Sequence, residues 1–262
     1  MSENIKLIAT DLDGTLLDSK KRVPAGFEDF VLRHGELRFV IASGRQYFNI
    51  IDLFPKAYKN MVFIAENGGL VFDDDEVVYK DPMTPTDVRA CIDAFSDPSI
   101  CSLILCGVKS AYILKSSSED CFKNSVMYYR KLERVDSFDN IDDDIIKIAI
   151  FVEGYVANEF YKTIVPVNDR LDYMLSGNCW IDIANKTVNK GNAISLLLKR
   201  FNIGVEESMA FGDYLNDAAL LKNCGISYAM ANSHPDLKKL ADREAPSNDE
   251  QGVMQVLEKI FD

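Results

Sequence analysis

Two carboxylates, Asp11 and Asp13, follow an apolar run near the start of the chain, with one residue between them. The run at 5–9 is typical of a buried strand. If the strand extends to Asp11, both acids point to the same side, because side chains alternate along a strand. Two adjacent carboxylates are costly unless a cation or a proton compensates them. The pair therefore indicates a metal-dependent site, and a solvated Asp-x-Asp-Gly turn is the alternative.

Other polar side chains stand where predicted strands end or where a helix begins. They are Ser43, Arg45, Asn67, Lys190, Asp213, Asn216 and Asp217. In an open α/β sheet, ligands bind beyond the carboxyl ends of the strands, so distant stretches of sequence converge on one site. Carboxylates, a lysine, a hydroxyl group and backbone N–H groups suit Mg²⁺ and a phosphoryl group. Alone, Ser43 could belong to a simple turn, and Lys190 could be a solvated lysine.

Strands alternate with helices in the first and last thirds of the chain. This alternation predicts an α/β fold with a doubly wound, Rossmann-like parallel sheet and helices on both faces. Between 82 and 184 the pattern changes to antiparallel strands with helices, including a helix predicted at 126–132. We therefore predict a core formed by 1–81 and 185–262, and an inserted α+β domain at 82–184.

The chain has 29 basic and 41 acidic residues, a formal charge of −12. This balance disfavours nucleic-acid and anionic-membrane partners, because both require a basic surface. Six cysteines are scattered without a Cys-x-x-Cys pair, and no apolar stretch is long enough to span a bilayer. We expect a cytoplasmic protein with reduced thiols, and the sequence predicts no oligomeric state.

Four short motifs follow one another in a recognisable order. They are Asp-Leu-Asp-Gly-Thr-Leu-Leu at 11–17, Ser43-Gly44-Arg45, Lys190-Gly191 and Gly212-Asp213-Tyr214-Leu215-Asn216-Asp217. These motifs resemble those of haloacid dehalogenase (HAD) superfamily phosphatases. The insertion between the second and third motifs is similar to the C2B cap of the Cof-type subfamily IIB. The resemblance covers essentially the whole chain, and it implies a HAD core at 1–81 and 185–262 with a C2B-type cap at 82–184.

The resemblance also implies catalytic roles. Asp11 would attack phosphorus and form an aspartyl-phosphate. Asp13 would protonate the leaving alcohol and later deprotonate the attacking water. Mg²⁺ would be held by Asp11, the backbone carbonyl of Asp13 and Asp213, while Asp217 would orient metal-bound waters or Lys190. The phosphoryl oxygens would be held by Ser43, Lys190, Asn216 and the N–H groups of Leu12 and Gly44.

The candidate substrate contacts are Arg45, Asn67, Asn178, Trp180 and Asp182. Each has a structural alternative, such as the turn typical of Asn-Gly or strand packing for the lone tryptophan. The resemblance implies Mg²⁺-dependent hydrolysis of a small phosphorylated metabolite, with sugar phosphates as the favoured class. A phosphomutase is one alternative, disfavoured by the simple cap. A non-enzymatic aspartyl-phosphate signalling module is another, disfavoured by the chain length and by Asp13.

Overall fold

The structure, a computed structural model, describes residues 4–262; residues 1–3, which begin the predicted core segment 1–81, lie outside the described part. The chain divides into two compact units. The first comprises the chain up to Tyr79 together with Asn189–Asp262. The second is Lys80–Val188, which includes the stretch 82–184.

The strands and helices are numbered in chain order. Strands β1 to β14 are Leu7–Asp11, Arg38–Ala42, Met61–Ala65, Leu70–Asp73, Glu76–Lys80, Cys101–Gly107, Ala111–Leu114, Leu132–Val135, Ile145–Val152, Leu171–Leu175, Trp180–Asn185, Ser208–Gly212, Ile226–Met230 and Arg243–Ala245. Helices α1 to α9 are Phe27–Arg33, Tyr47–Ile51, Pro85–Ala94, Glu119–Tyr128, Ala157–Tyr161, Lys190–Phe201, Ala218–Lys222, Pro235–Lys238 and Gly252–Phe261. Within residues 4–262, no helix combines the length and the apolar character needed to cross a bilayer.

The first unit is built on an eight-stranded sheet in the order β14-β13-β12-β1-β2-β3-β4-β5. Strand β1 lies between β12 and β2 and is parallel to both. Parallel pairing continues to β3 on one side and to β14 on the other, and β4 then pairs antiparallel with β3. The chain thus winds outward from β1 in both directions, and the predicted doubly wound α/β fold is confirmed.

Helices cover both faces of this sheet. On one face, Leu7 of β1 shares a core with Leu197 of α6 and Leu220 of α7. On the other face, the ring of Phe39 in β2 lies 6.4 and 6.0 Å from the rings of Phe27 and Phe30 in α1. Because both faces are covered, β1 is buried along its whole length, which explains its apolar sequence up to Asp11.

The second unit has its own six-stranded sheet, in the order β10-β11-β9-β6-β7-β8. Its strands pair antiparallel except for the parallel pair β7 and β8. One face packs against α3 and α5, where Cys91 and Ala157 are buried. Residues of α4, including Cys121, pack on the other face. This unit therefore contains the antiparallel strands and helices that its sequence predicts.

The helix predicted at 126–132 is wrong. The helix α4 ends at Tyr128, and Leu132 begins β8, which pairs in parallel with β7. Ser118 sets the start of α4, because its hydroxyl group accepts a hydrogen bond from the N–H of Cys121 at 3.0 Å. The apolar spacing that suggested a later helix combines the exposed end of α4 with a strand residue. The short edge strand β14 was also not predicted.

Candidate active site

The carboxyl edge of the first unit's sheet brings the motif residues into neighbouring positions. Strand β1 ends at Asp11, which pairs with Ala42 at the end of β2. Ser43 therefore begins beside Asp11 as the chain leaves β2. On the other side, Thr10 pairs with Phe211 of β12, and Asp213 follows just beyond that strand. The convergence predicted for an open α/β sheet is therefore present.

Asp11 and Asp13 have different partners, although the sequence pattern placed them on the same side. The strand stops at Asp11, and the chain turns at Gly14, whose φ of 86° is left-handed. Leu12 is fully buried, and its carbonyl oxygen accepts hydrogen bonds from the N–H groups of Thr15 and Leu17 at 3.3 and 2.8 Å. This tight turn separates the environments of the two acids.

Lys190 is the cation for Asp11. Its ammonium group donates to Oδ1 of Asp11 at 2.5 Å and to Oδ1 of Asp217 at 2.7 Å. The side chains of Lys190 and Asp217 have no exposed surface. Lys190 is the first residue of α6, as predicted, and Asn189 caps this helix by accepting the N–H of Asn192 at 2.8 Å. The capped helix start thus fixes a buried cation beside β1.

Both carboxylate oxygens of Asp217 accept hydrogen bonds from groups of the protein. Its Oδ1 binds Lys190, and its Oδ2 accepts the backbone N–H groups of Asp213 and Tyr214 at 3.0 and 3.2 Å. Asp217 therefore shapes the loop that presents Asp213, and it orients Lys190. This arrangement is compatible with the supporting role that the sequence resemblance implied for Asp217.

Asp213 lies partly open at the same edge. Its Oδ1 accepts the hydroxyl group of Thr15 at 3.3 Å. A Cβ atom at Gly14 would lie only 2.3 Å from Oδ2 of Asp213. The turn after β1 therefore needs glycine to accommodate the Asp213 carboxylate. One oxygen from each of Asp11, Asp213 and Asp217 lies within 4.8 Å of the others.

The cluster of Asp11, Asp213 and Asp217 carries more negative charge than Lys190 neutralises. Burial raises the pKa of Asp11 to about 7; the charge of Asp217 acts in the same direction, and Lys190 only partly opposes it. Burial likewise raises the pKa of Asp213 to about 6, again with a contribution from Asp217. Oδ2 of Asp11 is buried and has no hydrogen-bond partner among residues 4–262. Carboxylate oxygens are the ligands that Mg²⁺ prefers, so these residues fit a divalent cation.

Asp13 is held by two cations. Arg45 donates from Nε to Oδ2 at 2.7 Å and from Nη2 to Oδ1 at 2.6 Å, which is a bidentate pair. Lys21 donates to Oδ1 at 2.7 Å. Burial raises the pKa of Asp13, but the hydrogen bonds and charges of Arg45 and Lys21 outweigh it and hold that pKa below its usual value. The carboxyl group of Asp13 is therefore ionised near neutral pH.

Sequence reasoning missed Lys21. The residue has a left-handed φ of 61° in a short loop that Asp18 closes, with its Oδ1 accepting the N–H groups of Lys20 and Arg22 at 2.9 Å each. In the sequence, the stretch 20–22 is only a run of three basic residues. The sequence offers one signal for this loop. An aspartate such as Asp18 often stabilises a turn by accepting hydrogen bonds from the backbone N–H groups that follow it.

The predicted phosphate-holding residues form a second group. Ser43 is buried, and its hydroxyl oxygen accepts the N–H of Arg45 at 3.2 Å. Asn67 lies against Gly44, where an added Cβ would be 3.0 Å from its Nδ2. Asn216, which is exposed, donates from its amide to Oδ1 of Asn67 at 3.2 Å. Asn67 thus contacts residues assigned to phosphate binding.

The remaining candidate substrate contacts lie in the second unit. Trp180 is buried, and its ring centroid lies 5.1 and 5.8 Å from those of Phe151 and Tyr128. This packing is the structural alternative considered for a lone tryptophan. Asp182 forms an ion pair with Lys147 at 3.3 Å, and the carbonyl oxygen of Asn178 accepts the N–H of Ala157 at 3.1 Å.

A doubly wound sheet with a buried lysine and three carboxylates at its carboxyl edge defines an α/β enzyme with a site suited to a cation. Residues 8–257 match the family model described as haloacid dehalogenase-like hydrolase. The chain belongs to this family, and it is a phosphatase, as its four motifs predicted.

Similarity to individual relatives extends over nearly the whole chain. The 5-amino-6-(5-phospho-D-ribitylamino)uracil phosphatase YbjI of Escherichia coli (strain K12) is 32% identical over 98% of this chain and 97% of its own. Phosphatase YwpJ of Bacillus subtilis (strain 168) is 28% identical over 98% of this chain and 100% of its own. The crystal structure of SMU.1108c from Streptococcus mutans UA159 superposes with a TM-score of 0.83 at 32% identity, covering 97% of this chain and 98% of that one.

Proposed function

We propose that this phosphatase hydrolyses a small phosphate monoester with Mg²⁺, through an aspartyl-phosphate formed on Asp11. The observation that carries the proposal is the asymmetry of the Asp11 carboxylate. Lys190 holds its Oδ1 at 2.5 Å, while its Oδ2 is buried without a hydrogen-bond partner among the described residues. A carboxylate fixed by one oxygen, with the other free, is arranged to act as a nucleophile.

In the first step, Oδ2 of Asp11 would attack phosphorus, and the bond from phosphorus to the leaving alcohol oxygen would break. Water would then attack phosphorus, releasing inorganic phosphate and restoring the carboxylate. Lys190 would keep Asp11 oriented throughout both steps, because Asp217 fixes its ammonium group from the other side. Positioning and charge neutralisation would supply most of the catalysis, as in other phosphoryl transfers.

Mg²⁺ would be held by Asp11, Asp213 and the backbone carbonyl of Asp13, and when bound it would neutralise the charge of the carboxylates and of the phosphoryl oxygens. Burial, together with the charge of Asp217, raises the pKa values of Asp11 and Asp213, and a cation that offsets this effect would fit there. Asp217 would remain outside the metal's ligands, because both of its oxygens already accept hydrogen bonds.

Asp13 would be the proton carrier. Its ion pairs with Arg45 and Lys21 keep it ionised, which suits the step in which it takes a proton from water. To protonate the leaving alcohol in the first step, Asp13 must first bind a proton and turn away from Arg45. Substrate binding near Arg45 would release this carboxyl group, which gives Arg45 a role in coupling binding to proton transfer.

The phosphoryl oxygens would be held by Lys190, the hydroxyl group of Ser43, the amide of Asn216 and the N–H groups of Leu12 and Gly44. Ser43 and Gly44 follow β2 directly at the sheet's carboxyl edge, next to the end of β1. Donors fixed in the backbone and on buried side chains do not need to reorganise during the reaction, so they stabilise the charged transition state efficiently.

We further propose a phosphorylated sugar or sugar alcohol as the substrate class. The name of the Escherichia coli relative specifies a phosphoribityl compound, and such an ester is a small polar metabolite. The second unit would be a C2B-type cap that selects the leaving group, with Asn178, Trp180 and Asp182 as candidate contacts. All six cysteines are free and buried, which supports a cytoplasmic location with reduced thiols.

The test is phosphate release from a panel of sugar and sugar-alcohol phosphates with Mg²⁺, for the unmodified protein and for Asp11→Asn. We expect turnover in the first and its loss in the second. Asp93→Asn, which changes an exposed acid on α3, is the matched control. Equal activity of Asp11→Asn and the unmodified protein would contradict the mechanism. Isomerised sugar phosphate without free phosphate would indicate a phosphomutase.

A further inference from the structure

The turn after β3 is the most strained segment near the site. Three consecutive residues, Glu66, Asn67 and Gly68, have positive φ angles of 49°, 55° and 108°. Glycine adopts this conformation readily, but for the other two it costs free energy. Glu66 is also buried. Such strain persists only where the surroundings enforce it, and it concentrates at functional sites.

The backbone of the turn contacts two segments that carry proposed site residues. The N–H of Glu66 donates to the carbonyl oxygen of Arg45 at 3.2 Å, and the N–H of Asn67 donates to that of Ser43 at 2.9 Å. A Cβ at Gly68 would lie 2.3 Å from the carbonyl oxygen of Asn189, which caps the helix of Lys190. The turn therefore packs closely against both the Ser43 loop and the start of α6.

The side chain of Asn67 completes the set of contacts. Its amide lies under Gly44, where an added Cβ would be 3.0 Å from Nδ2. Its Oδ1 accepts the amide of Asn216 at 3.2 Å, across 149 residues of sequence. Asn67 is thus a bridge between the loop after β2 and the loop after β12. Both loops carry groups assigned above to the phosphoryl oxygens.

We propose that Asn67 is a positioning residue for phosphate, which acts through its hydrogen bond to Asn216. Its left-handed backbone aims the amide between the two loops, so that the exposed Asn216 is held in one orientation. This inference deepens the proposed function and rests on it. The substrate contact predicted for Asn67 stays a separate prediction, because Oδ1 is engaged by Asn216 and Nδ2 is not part of that hydrogen bond.

An alternative is that the Asn67 side chain merely allows the left-handed turn, as asparagine often does. Asn67→Gly separates the two possibilities, because glycine keeps the turn and removes the bridge. Asn202 provides a matched control. It is also an asparagine with a left-handed φ, of 53°, at the end of α6, so Asn202→Gly makes the same chemical change away from the loops of Gly44 and Asn216.

The experiment is equilibrium titration with inorganic phosphate in Mg²⁺ buffer, which requires no turnover. The proteins are the unmodified chain, Asn67→Gly, Asn216→Ala, the double variant and Asn202→Gly. We expect Asn67→Gly and Asn216→Ala each to weaken phosphate binding about tenfold. The double variant should bind phosphate no more weakly than either single variant, because each single substitution already removes the same hydrogen bond between Asn67 and Asn216. Asn202→Gly should bind phosphate as the unmodified protein does.

Two results would overturn the proposal: unchanged phosphate affinity in Asn67→Gly, or losses that multiply in the double variant. Thermal unfolding of each variant identifies loss of folding. If Asn67→Gly does not fold, Asn67→Ala, which also removes the acceptor oxygen for Asn216, takes its place in the cycle. Retention of full turnover by Asp11→Asn would refute the proposed mechanism instead, and the titration would still decide the role of Asn67.

Discussion

Lys190 and Asp217 form an ion pair that excludes water completely, with 2.7 Å between Nζ and Oδ1 and no exposed surface on either side chain. Burial alone lowers the pKa of Lys190, but the charges of Asp11 and Asp217 outweigh this effect and raise it, so the lysine is charged. Removing one partner of a buried pair leaves the other charge uncompensated. The pair therefore makes both stability and catalysis depend on the first residue of α6.

We predict that Lys190→Met lowers the free energy of unfolding by about 3–5 kcal/mol and abolishes phosphate release. Chemical denaturation measures the first effect. Lys199→Met, at an exposed position of the same helix, is the control and should change stability little. Adding Asp217→Asn to Lys190→Met should recover part of the stability without activity. Equal stability of Lys190→Met and Lys199→Met would contradict the importance of the buried pair.

Mg²⁺ should stabilise the folded protein, because Asp11, Asp213 and Asp217 concentrate negative charge that Lys190 only partly opposes. A ligand that binds only the folded state at about a hundredfold its dissociation constant adds about 2.7 kcal/mol. We predict a higher melting temperature with Mg²⁺ than with a chelator, and loss of most of this increment in Asp213→Asn. An increment of the same size in Asp213→Asn would show that Mg²⁺ binds elsewhere.

Arg45 should matter through the geometry of its pair with Asp13. Arg45→Met removes both hydrogen bonds, and we predict a fall in kcat of about tenfold to a hundredfold, since small displacements of a catalytic group have effects of this size. Arg45→Lys should recover little of the lost kcat, because lysine cannot form the bidentate pair with Asp13. Steady-state kinetics on the best monoester measure both. If Arg45→Met retained the kcat of the unmodified protein, Arg45 would not couple substrate binding to proton transfer by Asp13.

Asp87 in the second unit provides a test of pH-dependent stability. It is buried at the start of α3, and its Oδ1 accepts hydrogen bonds from Arg170 and Asn168 at 2.6 Å each. The hydrogen bond from Arg170 lowers its pKa, and burial offsets part of that effect. A carboxyl group whose folded pKa is below its unfolded pKa adds stability above the unfolded value, and this contribution is lost as the pH falls through the folded pKa.

We therefore predict that Asp87→Asn is less stable than the unmodified protein at neutral pH, by about 1–3 kcal/mol. The difference should begin to narrow as the pH falls below the ordinary aspartate pKa of about 3.9, and it should disappear as the pH falls through the lower pKa of Asp87 in the folded protein. Denaturation at a series of pH values measures it, with the exposed Asp93→Asn on the same helix as the control. A difference that does not depend on pH would assign the effect to packing alone.

Much of the first unit's fold was accessible from the sequence because its central strands β1, β3 and β12 are buried along their whole length. Runs such as the one ending at Asp11 are continuous and apolar, and the polar residues after them mark the sheet edge. Lys190 could be placed at a helix start because the apolar residues at 193, 196, 197 and 201 follow helical spacing. The boundaries of α4 could not be predicted from apolar spacing. The helix begins after its cap residue, Ser118, and its last turn carries exposed apolar residues, so the apolar pattern does not mark the buried face there.

The contacts that could not be predicted join residues whose proximity depends on strained turns. Lys21 reaches Asp13 only because its loop adopts a left-handed conformation that Asp18 stabilises. Asn67 and Asn216 are 149 residues apart, and no pattern in either stretch indicates their hydrogen bond. The separate partners of Asp11 and Asp13 likewise follow from where β1 ends, which alternation alone does not determine.

In the proposed mechanism, Asp11 carries the phosphoryl group during turnover. The most direct measurement is a rapid acid quench of the protein with Mg²⁺ and a hydrolysed monoester, followed by mapping of phosphorylated peptides by mass spectrometry. We predict a phosphoryl group on Asp11, lost on exposure to hydroxylamine and absent from Asp11→Asn. A phosphoryl group on a different residue, with Asp11 unmodified during turnover, would contradict the mechanism.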